Sequence, residues 1–216
     1  MHGLVDPVYE AVDGRSPNDI RRGDIYEDQP VYLPARHALR LSKIDPKETR
    51  QPEFEIAGRT HDAFLHQPIK WPVELPHGEA LIVSRAKWSR PVIVISDAAG
   101  SELIAGLGSS RVVTTRVCIP IYGCDQHDRT TMQRVERYEF PNLFYLPKSV
   151  RPHMDEGFAR LDHLQAIESS SLRNRRCQLS SDALDFLDEW LAGYLTGRMP
   201  SSGLIALYLS SIEDAP

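Results

Sequence analysis

Arg160 and Asp162 stand two residues apart in Gly157 to Ile167, a segment whose alternation reads as a strand. On an extended chain, side chains two positions apart share a face, with Cβ atoms about 6–7 Å from each other. That spacing brackets one phosphodiester. A carboxylate can take the proton from a ribose 2′-hydroxyl while a guanidinium holds the phosphate and stabilises its growing charge. The same spacing equally suits an ordinary ion pair on a strand, because structural pairs also occupy clefts. Alternation sets His163 on the opposite face from Asp162, as a packing residue.

Arg90 directly precedes Pro91 and the Val92-Ile93-Val94-Ile95 run. A guanidinium at such a strand entrance can fork onto a phosphate, or simply lie on the surface. Trp88, two residues earlier, offers a stacking surface for a base, or packs in a loop. Tyr122 places a hydroxyl at the end of a second β-branched run. Arg173, Arg175 and Arg176 form a basic cluster that either tracks phosphates or solvates a turn.

The elements that must position these groups are short strands. Val92–Ile95 and Val112–Ile121 read as buried strands, Tyr138–Leu146 as an edge or bulged strand around Pro141, and Arg22-Gly23-Asp24-Ile25-Tyr26 as a turn feeding a first strand. Ser180 or Ser181 caps a helix whose Leu184, Leu187, Leu191 and Leu195 form an apolar stripe, with Gly197 as its stop. Residues 1–20 read as an irregular lead-in and residues 198–216 as a tail with a short apolar piece, Leu204 to Leu209. Prolines at 30, 34, 46, 52, 68, 72 and 76 forbid a long helix between the first two strands, where Phe54–Ile56 and Ala80–Val83 suggest a hairpin or an elaborated loop.

A chain of 216 residues with 41% hydrophobic and 25% charged residues has an ordinary globular composition and is long enough to bury a core without staples. No apolar run approaches the roughly 18–20 residues of a membrane span. The polar, acidic start does not read as a signal peptide. Cys118, Cys124 and Cys177 are odd in number and at no metal-ligand spacing, although the first two could in principle bridge. A reducing, cytoplasmic setting is expected. His37, His61, His66 and His77 match no zinc pattern, so no metal or cofactor is expected. The net charge of −5 hides a division. Residues 1–30 carry seven acids and three bases, and residues 179–216 six acids and one base. The centre, 31–178, therefore holds 21 bases against 17 acids. A basic centre can hold a phosphate backbone; a solvated surface of mixed sign fits as well.

The order of segments is more specific than any one of them. Arg22-Gly23-Asp24-Ile25-Tyr26, Arg90-Pro91-Val92-Ile93-Val94-Ile95-Ser96, Val117-Cys118-Ile119-Pro120-Ile121, Arg160-Leu161-Asp162-His163-Leu164-Gln165-Ala166-Ile167, then Leu179-Ser180 and the leucine helix, together resemble the PemK/Kid/MazF toxin family. The resemblance covers about 80 residues in five short blocks, roughly 21–29, 89–123 and 157–197. It implies a mostly β fold with some α, a small SH3-like β-barrel of the CcdB/PemK kind. The barrel would run over residues 21–197, with a C-terminal amphipathic helix and a long insertion at about 30–88. It also implies a metal-independent endoribonuclease that cleaves single-stranded RNA, leaves a 2′,3′-cyclic phosphate, acts as a homodimer and is neutralised by an antitoxin protein. By position, Asp162 matches the general base, Arg160 the general acid and Arg90 the arginine that binds the scissile phosphate.

Two departures bear on the site. Tyr122 stands where the family has Thr or Ser, and a phenol reaches several ångströms farther than a threonine hydroxyl. It would contact RNA differently, by stacking on a base, or mark an altered site. His163-Leu164-Gln165 replaces Gln-Ile-Arg and removes a basic group. A non-catalytic binding module on the same barrel, or a gyrase poison like the CcdB toxins, are the competing expectations.

Overall fold

The computed structural model describes residues 5–32, 37–43, 53–58, 86–97, 100–106, 109–125 and 127–213. The chain divides into two compact units, one of Met1–Val31, Trp88–Ile104 and Ser110–Pro216, the other of Tyr32–Lys87 and Ala105–Ser109. In the second, β3 (His37–Lys43) pairs antiparallel with β4 (Glu53–Gly58). Phe54–Ile56 is extended as expected, but its partner is His37–Lys43, a strand the sequence did not single out; Ala80–Val83 lies outside the described residues.

The protein is mostly β with a few helices. Its main sheet is curled, nine-stranded and antiparallel. The strands are β1 (Tyr9–Glu10), β2 (Asp24–Tyr32), β5 (Ala86–Val94), β6 (Gly100–Gly106), β7 (Ser109–Gly123), β8 (Leu143–Leu146), β11 (Gly157–Arg160), β12 (Gln165–Glu168) and β13 (Arg175–Leu179). Their spatial order is β1-β13-β2-β5-β7-β11-β8, with β6 and β12 also paired to β7. A separate ribbon joins β9 (Ser149–Val150) to β10 (His153–Met154). The β-branched runs explain the centre: Val92, Ile93, Val94 and Ile119 are fully buried.

Three helices accompany the sheet. Asp128 caps α1 (Arg129–Glu136) by accepting the Thr131 amide at 2.8 Å. The stretch from Tyr138 is therefore not one strand: a turn follows α1 and only Leu143–Leu146 is extended. Ser180 caps α2 (Ser181–Thr196) by accepting the Ala183 amide, and Gly197 ends it in the left-handed region at φ 68°. The deepest residues are Ala183, Phe186, Leu187 and Trp190; of the expected leucine stripe Leu187 is buried, Leu184 and Leu191 pack partly buried against the core and Leu195 is exposed, so the buried face is rotated toward the aromatics. Aromatic volume decides this rotation. Phe186 and Trp190 meet Tyr138, with ring centroids 5.3 and 4.9 Å apart in edge-to-face geometry, and Trp190 Nε1 donates to the Leu143 carbonyl. The expected apolar tail is a helix, α3 (Leu204–Glu213). Glu189 of α2 accepts the first amides of α3, from Leu204 and Ile205, at 3.2 and 2.9 Å. Gly203, at φ 96°, must lack a side chain, since a Cβ there would meet the Glu189 carboxylate. No helix among the described residues is long and apolar enough to cross a membrane.

The irregular N-terminal segment is part of the sheet domain, not a lead-in. Val5 and Tyr9 are buried, β1 extends β13, and the Tyr9 hydroxyl donates to the Pro147 carbonyl. Arg15 forks onto the fully buried Asp24, its two terminal nitrogens donating to the two carboxylate oxygens at 2.8 and 3.0 Å. The Arg21 amide and the Arg175 guanidinium complete the shell around Asp24. All three cysteines carry free thiols, so Cys118 and Cys124 are not bridged.

Removing the Asp24 carboxylate takes from Arg175 its carboxylate partner and leaves Arg15 only the more exposed Asp19. Asp24→Ala should lose about 3–5 kcal/mol of stability, read as a lowered midpoint in urea denaturation.

Candidate functional site

Strand β7 builds the site from both of its edges. On one edge Val92, Ile93 and Val94 of β5 oppose Pro120, Ile119 and Cys118; continuing that register by two residues sets Arg90 opposite Tyr122. On the other edge Phe158 of β11 opposes Tyr122 directly. Residues opposed across antiparallel strands share a face, so Arg90, Tyr122 and Phe158 form a row, and Arg160 joins it two residues beyond Phe158.

The expected single strand from Gly157 to Ile167 is broken in the middle. Ala159 pairs with Ile121 and Gln165 with Cys118, so residues 160–164 face only residues 119 and 120. The surplus is absorbed by a 3₁₀ turn, Leu161–His163. It stands across from Pro120, which has no amide proton for a ladder. Leu161 is buried by the turn, while Asp162 is lifted to the surface beside Arg160. His163 swings toward the same cluster instead of the far face. Its Nδ1 lies 2.7 Å from the Tyr122 hydroxyl oxygen and its Nε2 3.8 Å from Asp162 Oδ2.

The Tyr122 ring is the floor of this patch. The guanidinium carbons of Arg90 and Arg160 lie 4.9 and 5.9 Å from its centroid, and Phe158 stacks against it at 6.0 Å. A base stacked on the face that Arg90 covers would displace a guanidinium, which weighs against base stacking as this tyrosine's role. Arg160 donates to both carboxylate oxygens of Asp162, from Nε at 3.1 Å and from Nη2. The two side chains are about one-third exposed, 33% and 28%, open enough for a ligand to compete for either.

Burial pushes the Asp162 carboxyl up. The hydrogen bond and charge of Arg160, a hydrogen bond from Asn142 and the charge of His163 outweigh it, holding the group below the usual carboxylate range. His163 is lowered by burial and by the Arg160 charge, with Asp162 opposing, so its imidazole is neutral at neutral pH. Burial raises the Tyr122 phenol despite the two arginines. The hydrogen bond to Asp162 raises Arg160, against a smaller opposing effect of burial.

Arg90, Tyr122, Arg160 and Asp162, singled out in sequence, thus meet in one patch. The basic cluster before α2 does not join it. Arg175 is consumed by the fold: its guanidinium donates to the carbonyls of Arg15, Ser16 and Asp19 and leans on Asp24, with its side chain only 7% exposed. Arg176 pairs with Glu27, and Arg173 is exposed. Position alone did not reveal this, because their partners come from residues 15–27. The backbone of Trp88 lies in β5, but its side chain falls outside the described residues, as do His61, His66, Trp71 and His77. His163 was misassigned, and Asn142 went unnoticed. The one available signal for His163 was its place beside an aspartate in a segment that faces a proline. Among the described residues no group of three or more His, Cys, Asp or Glu side chains could hold a metal ion.

No family model matches the chain, and no curated protein matches it.

In an NMR titration the Asp162 carboxyl should titrate below the ordinary value of about 3.9. Arg160→Ala should move it upward, because the burial that disfavours the anion remains while the hydrogen bond and charge of Arg160 are lost.

Proposed function

We propose that this protein is an endoribonuclease of the PemK/Kid/MazF kind, built on an SH3-like barrel, that cuts single-stranded RNA by attack of the ribose 2′-hydroxyl. The observation that carries the reading is the convergence of two guanidiniums on the Tyr122 ring with one carboxylate beside them. Such a patch has the charge and the planar donors that a phosphodiester needs. Arg90 has no carboxylate partner among the described residues, which leaves its fork for phosphate.

In this reading Asp162 accepts the 2′-hydroxyl proton as O2′ attacks phosphorus. Arg90 and Arg160 hold the non-bridging oxygens and stabilise the charge that gathers on them. Substrate phosphate competes with Asp162 for Arg160. As Arg160 turns to the phosphate, the carboxylate becomes more basic, so its low resting affinity for protons suits a base that is switched on by binding. A guanidinium stays protonated in proteins, so Arg160 enters as fixed charge rather than as the acid its position in the family would give it. The products are a 2′,3′-cyclic phosphate and a free 5′-hydroxyl. A homodimer carrying RNA across its face, an antitoxin protein as inhibitor and a cytoplasmic setting belong to the same proposal and rest on the resemblance.

The closed Arg160–Asp162 pair favours a second reading, a module that binds RNA or another polyanion without cutting it. The two separate in one assay. Single-stranded RNA incubated with the purified protein in excess EDTA should be cleaved to cyclic-phosphate ends. Asp162→Ala should abolish cleavage, and Arg90→Ala should slow it by about 10²–10³-fold. Retention of RNA without any product would select the binding module. Cleavage that survives Asp162→Ala would remove the proposed base.

A further inference from the structure

An RNA cleavage of this kind leaves one chemical need unmet. The departing 5′ oxygen is strongly basic and must gain a proton, and neither guanidinium readily gives one up. On the reading proposed above, we infer that Asp162, His163 and Tyr122 form a proton relay that hands the 2′-hydroxyl proton on to the departing 5′ oxygen.

Three observations align these groups. Tyr122 Oη and His163 Nδ1 are 2.7 Å apart, a full hydrogen bond. His163 Nε2 lies 3.8 Å from Asp162 Oδ2, about 0.6 Å beyond hydrogen-bond reach. The imidazole is held in place: its side chain is only 7% exposed and it meets the Tyr122 ring edge-on at 5.7 Å, while Gln165 Nε2 donates to the His163 backbone carbonyl. Tyr122 in turn sits beneath both guanidiniums that would hold the phosphate. Its ring thus lies under the groups that would hold the phosphate, and its hydroxyl is bonded to His163. Among the described residues the charged and titratable groups around His163 are Arg160, Asp162 and Tyr122, and the neighbouring arginine discourages a second proton on the ring. A neutral imidazole has one N–H and one lone pair, which is what a relay requires.

The step balances without an outside proton. O2′ bonds to phosphorus as its proton passes to Asp162 Oδ2, and from there to the lone pair of His163 Nε2. The Nδ1 proton moves to Tyr122 Oη, and the phenolic proton moves to O5′ as the P–O5′ bond breaks with its electron pair. His163 is left as the other tautomer and resets by exchange with water. Tyr122 is the catalytic group at the leaving oxygen; His163 acts through it.

A substrate whose leaving atom needs no proton isolates this step. The linkage cut by the wild-type protein is first mapped, and the same RNA is then made with a bridging 5′-sulfur at that linkage. Tyr122→Phe and His163→Asn should each slow cleavage of ordinary RNA by about 10²–10³-fold, yet cut the sulfur substrate within about threefold of wild type. Asparagine at 163 keeps an N–H for Tyr122 but cannot pass a proton, and activity on the sulfur substrate shows that the variants are folded. Equal losses on both substrates, or no loss on either, would overturn the relay. Asp162→Asn should stay inactive on both, since O2′ still needs its base. A wild-type protein that cuts no RNA, or an Asp162→Asn variant as active as wild type, would bring down the nuclease reading itself and the relay with it.

Discussion

The backbone of β7 has one row of hydrogen-bonding groups on each edge, and the candidate site follows from how those rows are shared. One edge takes β5, and with it Arg90. The other takes β12 and β11, which cannot pair continuously because five residues of the connecting chain face two of β7. A strand cannot absorb such an excess without leaving the ladder, so the surplus is extruded as a turn. That turn carries Asp162 and His163 to the place where Tyr122 and Arg160 already are. The pair first expected from simple alternation on one strand is in fact assembled by the failure of that strand.

A second constraint is the allocation of arginines. Asp24 lies with no exposure, and a carboxylate there requires counter-charge and donors. Arg15 and Arg175 provide them and cross-link the N-terminal segment, β2 and β13 in doing so. Arg22 is similarly taken up, donating to the Ile95 carbonyl and pairing with Asp188 of α2. Arg90 and Arg160 differ in what faces them. Arg90 rests on an aromatic ring, and Arg160 holds a carboxylate that is itself partly open to solvent. Guanidiniums of one composition thus divide into fixed struts and groups able to meet a ligand.

Legibility of the site tracked the range of the interactions that make it. The β-branched runs at Val92–Ile95 and Val112–Ile121 announced their strands, because burial on both faces needs nothing but apolar side chains. The cap at Ser180 and the stop at Gly197 marked α2 for equally local reasons. The buried face of that helix was read only in part, since leucine spacing alone is silent about the aromatic neighbours that Phe186 and Trp190 find in Tyr138, Phe144 and Tyr208. α1 and α3 escaped notice because one is short and polar and the other takes its first-turn acceptor from Glu189, fifteen or sixteen residues away.

The amino-acid order by itself determined the mostly β character, the principal strands, the helix that Ser180 caps and the identities of Arg90, Tyr122, Arg160 and Asp162 as groups with chemical capacity. Periodicity and residue type carry that information within a few positions along the chain. Only the tertiary structure decided which of them meet, that His163 faces the cluster rather than away from it, and that Arg175 serves the core. Those outcomes depend on register between strands far apart in sequence and on where a carboxylate is buried, and neither quantity is written in any local pattern.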